Sequence, residues 1–306
     1  MKKMRFPLLI ALGVAIIGIV LGSFFDLQIS KAIASPTNVF ALTVSAIGPT
    51  IGFAGVSVMG GGFIALAIKG KYHIALKILF YVLAACCLGV AIYYPAGEYF
   101  GVNGFYGKAP EWVGYLIAIW PAIGGVVGGY FLFKDCQNNK MWIVFCAMIV
   151  LLLIALLAII PNLKDTIHRP RYRLISVTDV AFHNWWEPCK DYKTLIEFYH
   201  TSKDNFKSYP SGHTAEASIL LVTITFLPLA NKKFEKYQMP LFLGACGLVL
   251  LVAFARILAA AHFLSDVSTG ATIVLLLLFI TNEIITAIKP LHLKEEKKEP
   301  EPQFEE

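Results

Sequence analysis

Three short clusters of ionisable and hydroxyl residues in the second half of the chain have types and spacings suited to chemistry. In chain order they are Lys164 and Arg171; Pro210-Ser211-Gly212-His213; and Arg256, His262 and Asp266. Lysine and arginine neutralise anions, and a guanidinium offers two parallel donors to the oxygens of a phosphoryl group. Histidine acts as a nucleophile, an acid or a base near neutral pH. The combination is suited to binding an anion and to acid–base or nucleophilic chemistry on it.

Each cluster alone also has a simpler structural explanation. Basic residues after an apolar segment commonly anchor a helix at lipid headgroups, and Ser-Gly before a helix is typical of an N-cap and turn. What favours function is that all three clusters fall at the ends of apolar segments, where ionisable groups are costly and by default indicate a site.

The elements that carry these clusters are strongly apolar. Of the 306 residues, 57% are hydrophobic and 15% charged, whereas soluble domains carry about 25% charged residues. Crossing a hydrocarbon core of about 30 Å takes about 20 residues, and eight segments meet that length. The composition therefore excludes a soluble enzyme and predicts an all-α, polytopic membrane protein with about eight transmembrane helices. The predicted spans are 6–25, 48–68, 74–95, 112–133, 141–161, 213–231, 239–261 and 265–288.

Four regions follow from these spans. Residues 1–161 hold five N-terminal helices, residues 162–212 form a long external loop, residues 213–288 hold three C-terminal helices, and residues 289–306 are a charged tail predicted to be disordered. The N-terminal apolar run is interpreted as an uncleaved first span. Residues 26–47 are predicted to lie along the membrane interface, because Pro36 and Asn38 interrupt them.

The distribution of basic residues predicts the orientation. With both termini on the cytoplasmic side, the inner segments hold most of the lysines and arginines, and the two short outer loops hold only Lys31 and Lys108. The three clusters then lie at the outer face of a cell membrane. The long external loop also carries basic residues. The orientation rule does not require basic residues on the outer side, whereas a site that binds an anion does.

Cysteines and glycines give two smaller predictions. Cys189 is the only cysteine in an external loop, so no structural disulfide is expected, and an impermeant thiol reagent should label Cys189 if it is exposed and never the cytoplasmic Cys136. In the fourth span, four glycines at small-xxx-small spacing predict close helix packing. They are Gly124, Gly125, Gly128 and Gly129.

Taken together, the clusters resemble the motifs of the type-2 phosphatidic acid phosphatase superfamily of integral-membrane lipid phosphate phosphatases. The family pattern is Lys-x6-Arg-Pro, then Pro-Ser-Gly-His, then Ser-Arg-x5-His-x3-Asp. The second motif is intact here, while Ala255 replaces the serine of the third and Tyr172 the proline of the first. A second register through Arg169-Pro170 would place Asn162 at the lysine position, so the Lys164/Arg171 register is preferred.

The resemblance implies a role for each residue. His262 attacks phosphorus and forms a phosphohistidine, His213 protonates the leaving group and then activates water, and Asp266 accepts the proton of the other His262 nitrogen. Asp266 lies one helical turn after His262 if this segment is helical. The phosphate-binding residues are Lys164, Arg171, Ser211, Gly212 and Arg256. No cofactor or metal is expected. Lower-ranked candidates are His168, Arg169, Arg173, His183, His200 and Glu216, for which surface or helix-start roles are simpler.

These roles predict hydrolysis of a lipid phosphate or pyrophosphate, of the undecaprenyl pyrophosphate, phosphatidylglycerophosphate or phosphatidic acid type. A headgroup phosphotransferase and a lipid transporter or scramblase that retains the phosphate site remain open. The expected partners are the lipid substrate and membrane lipids. No nucleic acid is expected, since the net charge of +6 is scattered between spans, and no obligatory protein partner is evident. Aromatic residues of the long loop, among them Trp185 and Trp186, are predicted to cap the site.

Overall fold

The computed structural model describes residues 2–100, 111–136, 138 and 140–288, and within these ranges the chain forms helices joined by short irregular segments. The predicted tail, 289–306, and Lys108 lie outside the described residues. The α-helices are α1 Lys2–Ile33, α2 Val39–Lys69, α3 Ile74–Phe100, α4 Glu111–Phe133, α5 Met141–Leu153, α6 Ile160–Ile167, α7 Tyr172–Ile175, α8 Tyr192–Phe198, α9 Gly212–Ala217, α10 Ile219–Phe226, α11 Glu235–Leu258 and α12 Leu264–Ala287.

Eight helical segments in the described ranges are long and apolar enough to cross a membrane, which confirms the all-α prediction with eight spans. A rise of about 1.5 Å per residue makes each of them long enough for the hydrocarbon core. The fifth span is continuous from α5 through a π-helical turn, Ile154–Ile159, into α6. The sixth combines α9, α10 and the 3₁₀ turn Leu227–Leu229. The chain is a multi-pass membrane protein.

The prediction that residues 26–47 lie along the membrane interface is wrong. α1 continues to Ile33 and α2 begins at Val39, so a short turn alone separates two long helices. Asn38 ends this turn because its side chain accepts a hydrogen bond from the backbone N–H of Ala41 at 3.0 Å, which caps α2. Pro36 and Asn38 therefore mark a tight connection between spans.

α2 is the central helix, and α4 packs closely along it. A Cβ added to Gly125 would lie 2.7 Å from the carbonyl oxygen of Ala54, and one added to Gly129 would overlap the backbone of Val58. Gly124 and Gly128 face open space. The predicted close packing of the fourth span is thus confirmed for one of the two glycine pairs.

The bundle has two chemically different ends. At one end, the start of α1 forms ion pairs with α11 and α12. These are Lys3–Glu235 at 3.0 Å and Arg5–Glu283 at 3.6 Å. At the other end, Asp26 of α1 pairs with Arg169, which follows α6. The three chemical clusters lie at this second end, and the short basic connectors lie at the first.

Candidate active site

Four helix ends meet at the second end of the bundle. They are the last turn of α6 with Lys164, the start of α9 with Ser211 and Gly212, the last turn of α11 with Arg256, and the α11–α12 connection with His262. The backbone N–H of Ser211 donates to the carbonyl of Asp266 at 2.9 Å, which joins α9 to α12. A Cβ added to Gly212 would lie 3.4 Å from Lys164 Nζ. Residues distant in sequence therefore converge.

Ser211 and Gly212 form the turn into α9. Ser211 Oγ accepts from the backbone N–H of Thr214 at 3.4 Å and from the Thr214 hydroxyl at 3.1 Å, so Ser211 caps the helix. A Cβ on Gly270 would overlap the carbonyl oxygen of Ser211. Glycine at 270 thus lets α12 approach the turn, which brings Asp266 beside it.

His262 is buried, and its two ring nitrogens have different partners. Nδ1 lies 2.5 Å from the backbone carbonyl oxygen of Ser208, and Nε2 lies 3.3 Å from Nη1 of Arg171. A carbonyl oxygen only accepts and a guanidinium only donates. The contacts therefore assign the proton to Nδ1 and leave a lone pair on Nε2. Nucleophilic attack at phosphorus needs this tautomer.

The surroundings of His262 keep the imidazole neutral. Burial lowers the pKa of His262 well below its usual 6.5, and the positive charges of Arg171 and Arg256 act in the same direction, against the carboxylate of Asp266. At neutral pH the imidazole is therefore uncharged and available for attack. The pKa of His262 is lower in the folded protein than in the unfolded chain. With respect to this group, the folded protein is therefore most stable above the unfolded pKa of His262, and this stability is lost as the pH falls below that value.

The contact geometry between Asp266 and His262 differs from the expected one. α12 begins at Leu264, so His262 precedes the helix, and no helical turn links the two residues. The Asp266 carboxylate accepts from the Ser208 hydroxyl at 2.5 Å and from the backbone N–H of Phe263 at 2.8 Å, and lies 3.8 Å from His262 Nδ1. The acceptor closest to Nδ1 is the Ser208 carbonyl. Asp266 supplies a negative charge next to the imidazole.

Arg171 is held in place by a carboxylate that the sequence analysis missed. Its Nη2 pairs with Asp204 Oδ1 at 2.9 Å, its Nε donates to the Asp204 carbonyl at 2.8 Å, and its Nη1 donates to the Ala261 carbonyl at 3.0 Å. Burial alone would raise the pKa of Asp204, but the charges of Arg171 and Arg173 outweigh it and lower the value to about 2. Asp204 lies outside every motif, so no sequence signal marked it.

Arg169 belongs to a second buried network of ion pairs. In the sequence analysis this residue ranked below the motif residues, and the network was not predicted. Its Nη1 pairs with Asp266 Oδ1 at 2.5 Å and its Nη2 with Asp26 Oδ2 at 2.9 Å. Arg169 therefore does not reach His262, whereas Arg171 does. The geometry agrees with the Lys164/Arg171 register.

The lower-ranked residues have mainly structural contacts. His168 ends α6 in the left-handed conformation and stacks on Tyr192 at 3.6 Å, and Arg173 pairs with Asp204 at 2.7 Å. Trp185 of the long loop stacks on Tyr209 at 5.7 Å and donates to the hydroxyl of Ser23 at 2.9 Å. The loop is thereby fixed against α1 and against the segment that enters the site.

Two further residues from the sequence analysis, His213 and Glu216, lie at the same end of the bundle. His213 is close enough to Arg256, His262, Lys164 and Arg171 for their charges to act on it. A Cβ on Gly212 would also lie 3.6 Å from Glu216 Oε1, so Glu216, near the end of α9, faces the turn. Among the described residues, no group of three or more His, Cys, Asp or Glu side chains is arranged to hold a metal ion.

Cys189 is not available as an accessible label. It is buried in a small core with Leu174, Val180 and Phe206, and burial raises the pKa of its thiol to about 12. All six cysteines are free thiols. The loop folds over this side chain, so the condition of exposure is not met and an impermeant reagent cannot report topology through Cys189.

A family model described as the PAP2 superfamily matches residues 141–289, a little under half of the chain. The match confirms the resemblance drawn from the motifs, and it runs from α5 through α12, so it contains all three clusters. Members of the PAP2 superfamily are phosphatases, and the match supports phosphatase activity on phosphate esters for this chain. No curated protein and no solved structure matches the chain significantly.

Proposed function

We propose that this PAP2 protein hydrolyses a lipid phosphate or pyrophosphate through a phosphohistidine formed on Nε2 of His262. The observation that carries the proposal is the pair of His262 contacts, with Nδ1 on a backbone carbonyl and Nε2 beside the Arg171 guanidinium. This arrangement aims an unprotonated nitrogen at the position where a cation would hold a phosphoryl oxygen.

In the first step, Lys164, Arg171 and Arg256 neutralise the bound phosphoryl group. Nε2 attacks phosphorus, the P–Nε2 bond forms, and the bond to the leaving oxygen breaks in line with it. His213 donates a proton to that oxygen. The ring keeps its Nδ1 proton and becomes cationic, and the Ser208 carbonyl and the Asp266 carboxylate stabilise this form.

In the second step, His213 has become a base. It removes a proton from water, the hydroxide attacks phosphorus, and the P–Nε2 bond breaks. Inorganic phosphate leaves, and His262 returns to its neutral state. The charge required throughout comes from side chains of the chain itself, so the reaction is proposed to need no metal ion.

The membrane location supports a lipid substrate. The site lies at the ends of helices long enough to span a bilayer, where the headgroup of a lipid would meet the cationic residues. Undecaprenyl pyrophosphate, phosphatidylglycerophosphate and phosphatidic acid all present such a phosphate.

Phosphate release from a panel of these three lipids, in detergent with excess EDTA, tests the proposal. We expect release from at least one lipid in the presence of EDTA. With ³²P-labelled substrate we also expect an acid-labile, alkali-stable labelled protein after rapid quenching, as a phosphoramidate requires. Complete loss of release with EDTA, restored by a divalent metal, would contradict the mechanism.

Two other functions use the same residues. A phosphotransferase would pass the phosphoryl group from His262 to a lipid hydroxyl, so an added acceptor lipid would become phosphorylated at the expense of phosphate release. A transporter or scramblase would need the cations and not the nucleophile. The lone pair on Nε2 favours the two phosphoryl-transfer reactions over transport.

We further propose that the site faces the outer side of a cell membrane, because the short basic connectors lie at the opposite end of the bundle. Val177 of the long loop is 78% exposed, and Tyr237 near the start of α11 is 50% exposed. An impermeant maleimide should label Val177→Cys in intact cells and Tyr237→Cys only after permeabilisation. The unsubstituted protein is the control, since Cys189 is buried. The reverse pattern would place the site in the cytoplasm.

A further inference from the structure

We propose that Asp26 is a positioning residue of the active site, which acts through Arg169 and Ser265 to hold Asp266 beside His262. The inference rests on the proposed phosphohistidine mechanism and deepens it. Asp26 lies on α1, outside the segment that matches the PAP2 superfamily. The first helix would then contribute to catalysis as well as to the membrane domain.

One guanidinium joins the two carboxylates. Arg169 Nη2 pairs with Asp26 Oδ2 at 2.9 Å, and Arg169 Nη1 pairs with Asp266 Oδ1 at 2.5 Å. All three side chains are at most 1% exposed. At such burial an ion pair is sustained only when its remaining donors and acceptors are also satisfied.

Those further contacts are present. Arg169 Nε donates to the His183 carbonyl at 2.8 Å, and its guanidinium lies 4.3 Å from the centre of the Phe263 ring. Phe263 is the residue between His262 and α12. Arg169 therefore braces the segment that carries the proposed nucleophile on two sides, through Asp266 and through the ring.

Ser265 provides a second route from Asp26 to this segment. The backbone N–H of Ser265 donates to Asp26 Oδ1 at 3.0 Å, and its hydroxyl donates to Asp26 Oδ2. The same hydroxyl accepts from Arg169 Nη1 at 2.8 Å. A Cβ on Gly22 would lie 2.6 Å from the Ser265 nitrogen, so glycine at 22 permits this close approach of α1. Asp26 thus caps the first turn of α12 from a neighbouring helix.

The sharing of the Arg169 guanidinium also affects the negative charge of Asp266 next to His262. Two carboxylates divide the single positive charge of Arg169, so Asp266 retains negative character toward His262. The cationic phosphohistidine needs this charge. The other charged or titratable groups acting on His262 and its neighbours are Lys164, Arg171, Asp204, His213 and Arg256.

The substitution Asp26→Asn tests the assignment, because it keeps the shape and removes the charge. We expect kcat to fall about ten- to a hundred-fold with KM nearly unchanged, since the lost contacts are to charged groups and act on the transition state. The acid limb of the kcat/KM profile is expected to move to lower pH, because removal of a nearby negative charge disfavours the imidazolium form. Asp179→Asn, an exposed carboxylate of the long loop, is the matched control.

A double-mutant cycle separates this role from simple packing. If Asp26 acts through Arg169, then Asp26→Asn should have little further effect on kcat in an Arg169→Gln background, and the two effects will not add. If Asp26→Asn does not fold, Ser265→Ala retains every charge and should still lower kcat about three- to ten-fold. Each variant is compared by thermal unfolding in detergent.

The possible failures are distinguishable. Unchanged kcat and pH profile in Asp26→Asn or Ser265→Ala, with only a lower midpoint of unfolding, would overturn the assignment of Asp26 and leave the proposed reaction in place. Additive effects of Asp26→Asn and Arg169→Gln would also overturn it. Phosphate release by His262→Ala at the rate of the unsubstituted protein would overturn the proposed function and this inference with it.

Discussion

Replacement of His262 by alanine is expected to abolish phosphate release, with kcat lowered by at least about 10⁴-fold. The reason is that Nε2 is the only proposed attacking atom, and without it no phosphoenzyme forms. Rapid-quench labelling with ³²P-substrate should give no labelled protein, while substrate binding is retained because Lys164, Arg171 and Arg256 remain. The two measurements together separate loss of chemistry from loss of binding.

His183→Ala is the control for this experiment. His183 lies in the same long loop as Arg171, and the contact it makes to Arg169 uses its backbone carbonyl, which the substitution preserves. We expect wild-type rates for this variant. Labelled protein in His262→Ala, or equal losses in both variants, would contradict the assignment of the nucleophile.

Substitution of Arg171 by lysine is expected to lower kcat/KM by about 10²- to 10³-fold, although the charge is retained. In the structure the guanidinium contacts Asp204, Ala261 and His262 at once. A lysine ammonium cannot hold these directions and also offer paired donors to a phosphoryl group. Two charge-assisted donors contribute about 1.5–3 kcal/mol each, and the expected range corresponds to the lower part of their sum, about 3–4 kcal/mol, because lysine keeps the positive charge.

Arg173→Lys is a matched control, because Arg173 is two residues further on and pairs with the other oxygen of Asp204 without contacting His262. We expect a loss of less than about ten-fold there, since the pair is partly exposed. Steady-state rates for both variants, at several substrate concentrations, make the comparison. Similar losses in both would show that Asp204, and not the geometry at His262, carries the effect.

Much of the fold was predictable because membrane insertion depends on a local property. A run of about 20 apolar residues is visible in one dimension, and all eight predicted spans correspond to helices long and apolar enough to cross a membrane. The boundaries were less predictable. The first span was predicted to end at residue 25, whereas the helix continues to Ile33 and pairs Asp26 with Arg169.

The candidate site was predictable for a similar reason. Lys164, Arg171, His213 and His262 belong to motifs whose order and spacing are readable along the chain, and the fold brings them together. The spacing also selected Arg171 over Arg169 as the arginine of the first motif, and in the structure Arg171 contacts His262. The chemical roles of these residues stay predictions until the variants are measured.

By itself, then, the sequence determined the class of the protein, its number of spans and the identity of the cationic and imidazole groups, since each of these follows from residue types and short spacings. Only the tertiary structure decided how those groups are held. The carbonyl that accepts the hydrogen bond from His262 Nδ1 is 54 positions away in the chain, and Asp26, which shares Arg169 with Asp266, is 143 positions away from Arg169. Partners at such separations are chosen by which helix ends pack together, and helix packing depends on the whole bundle.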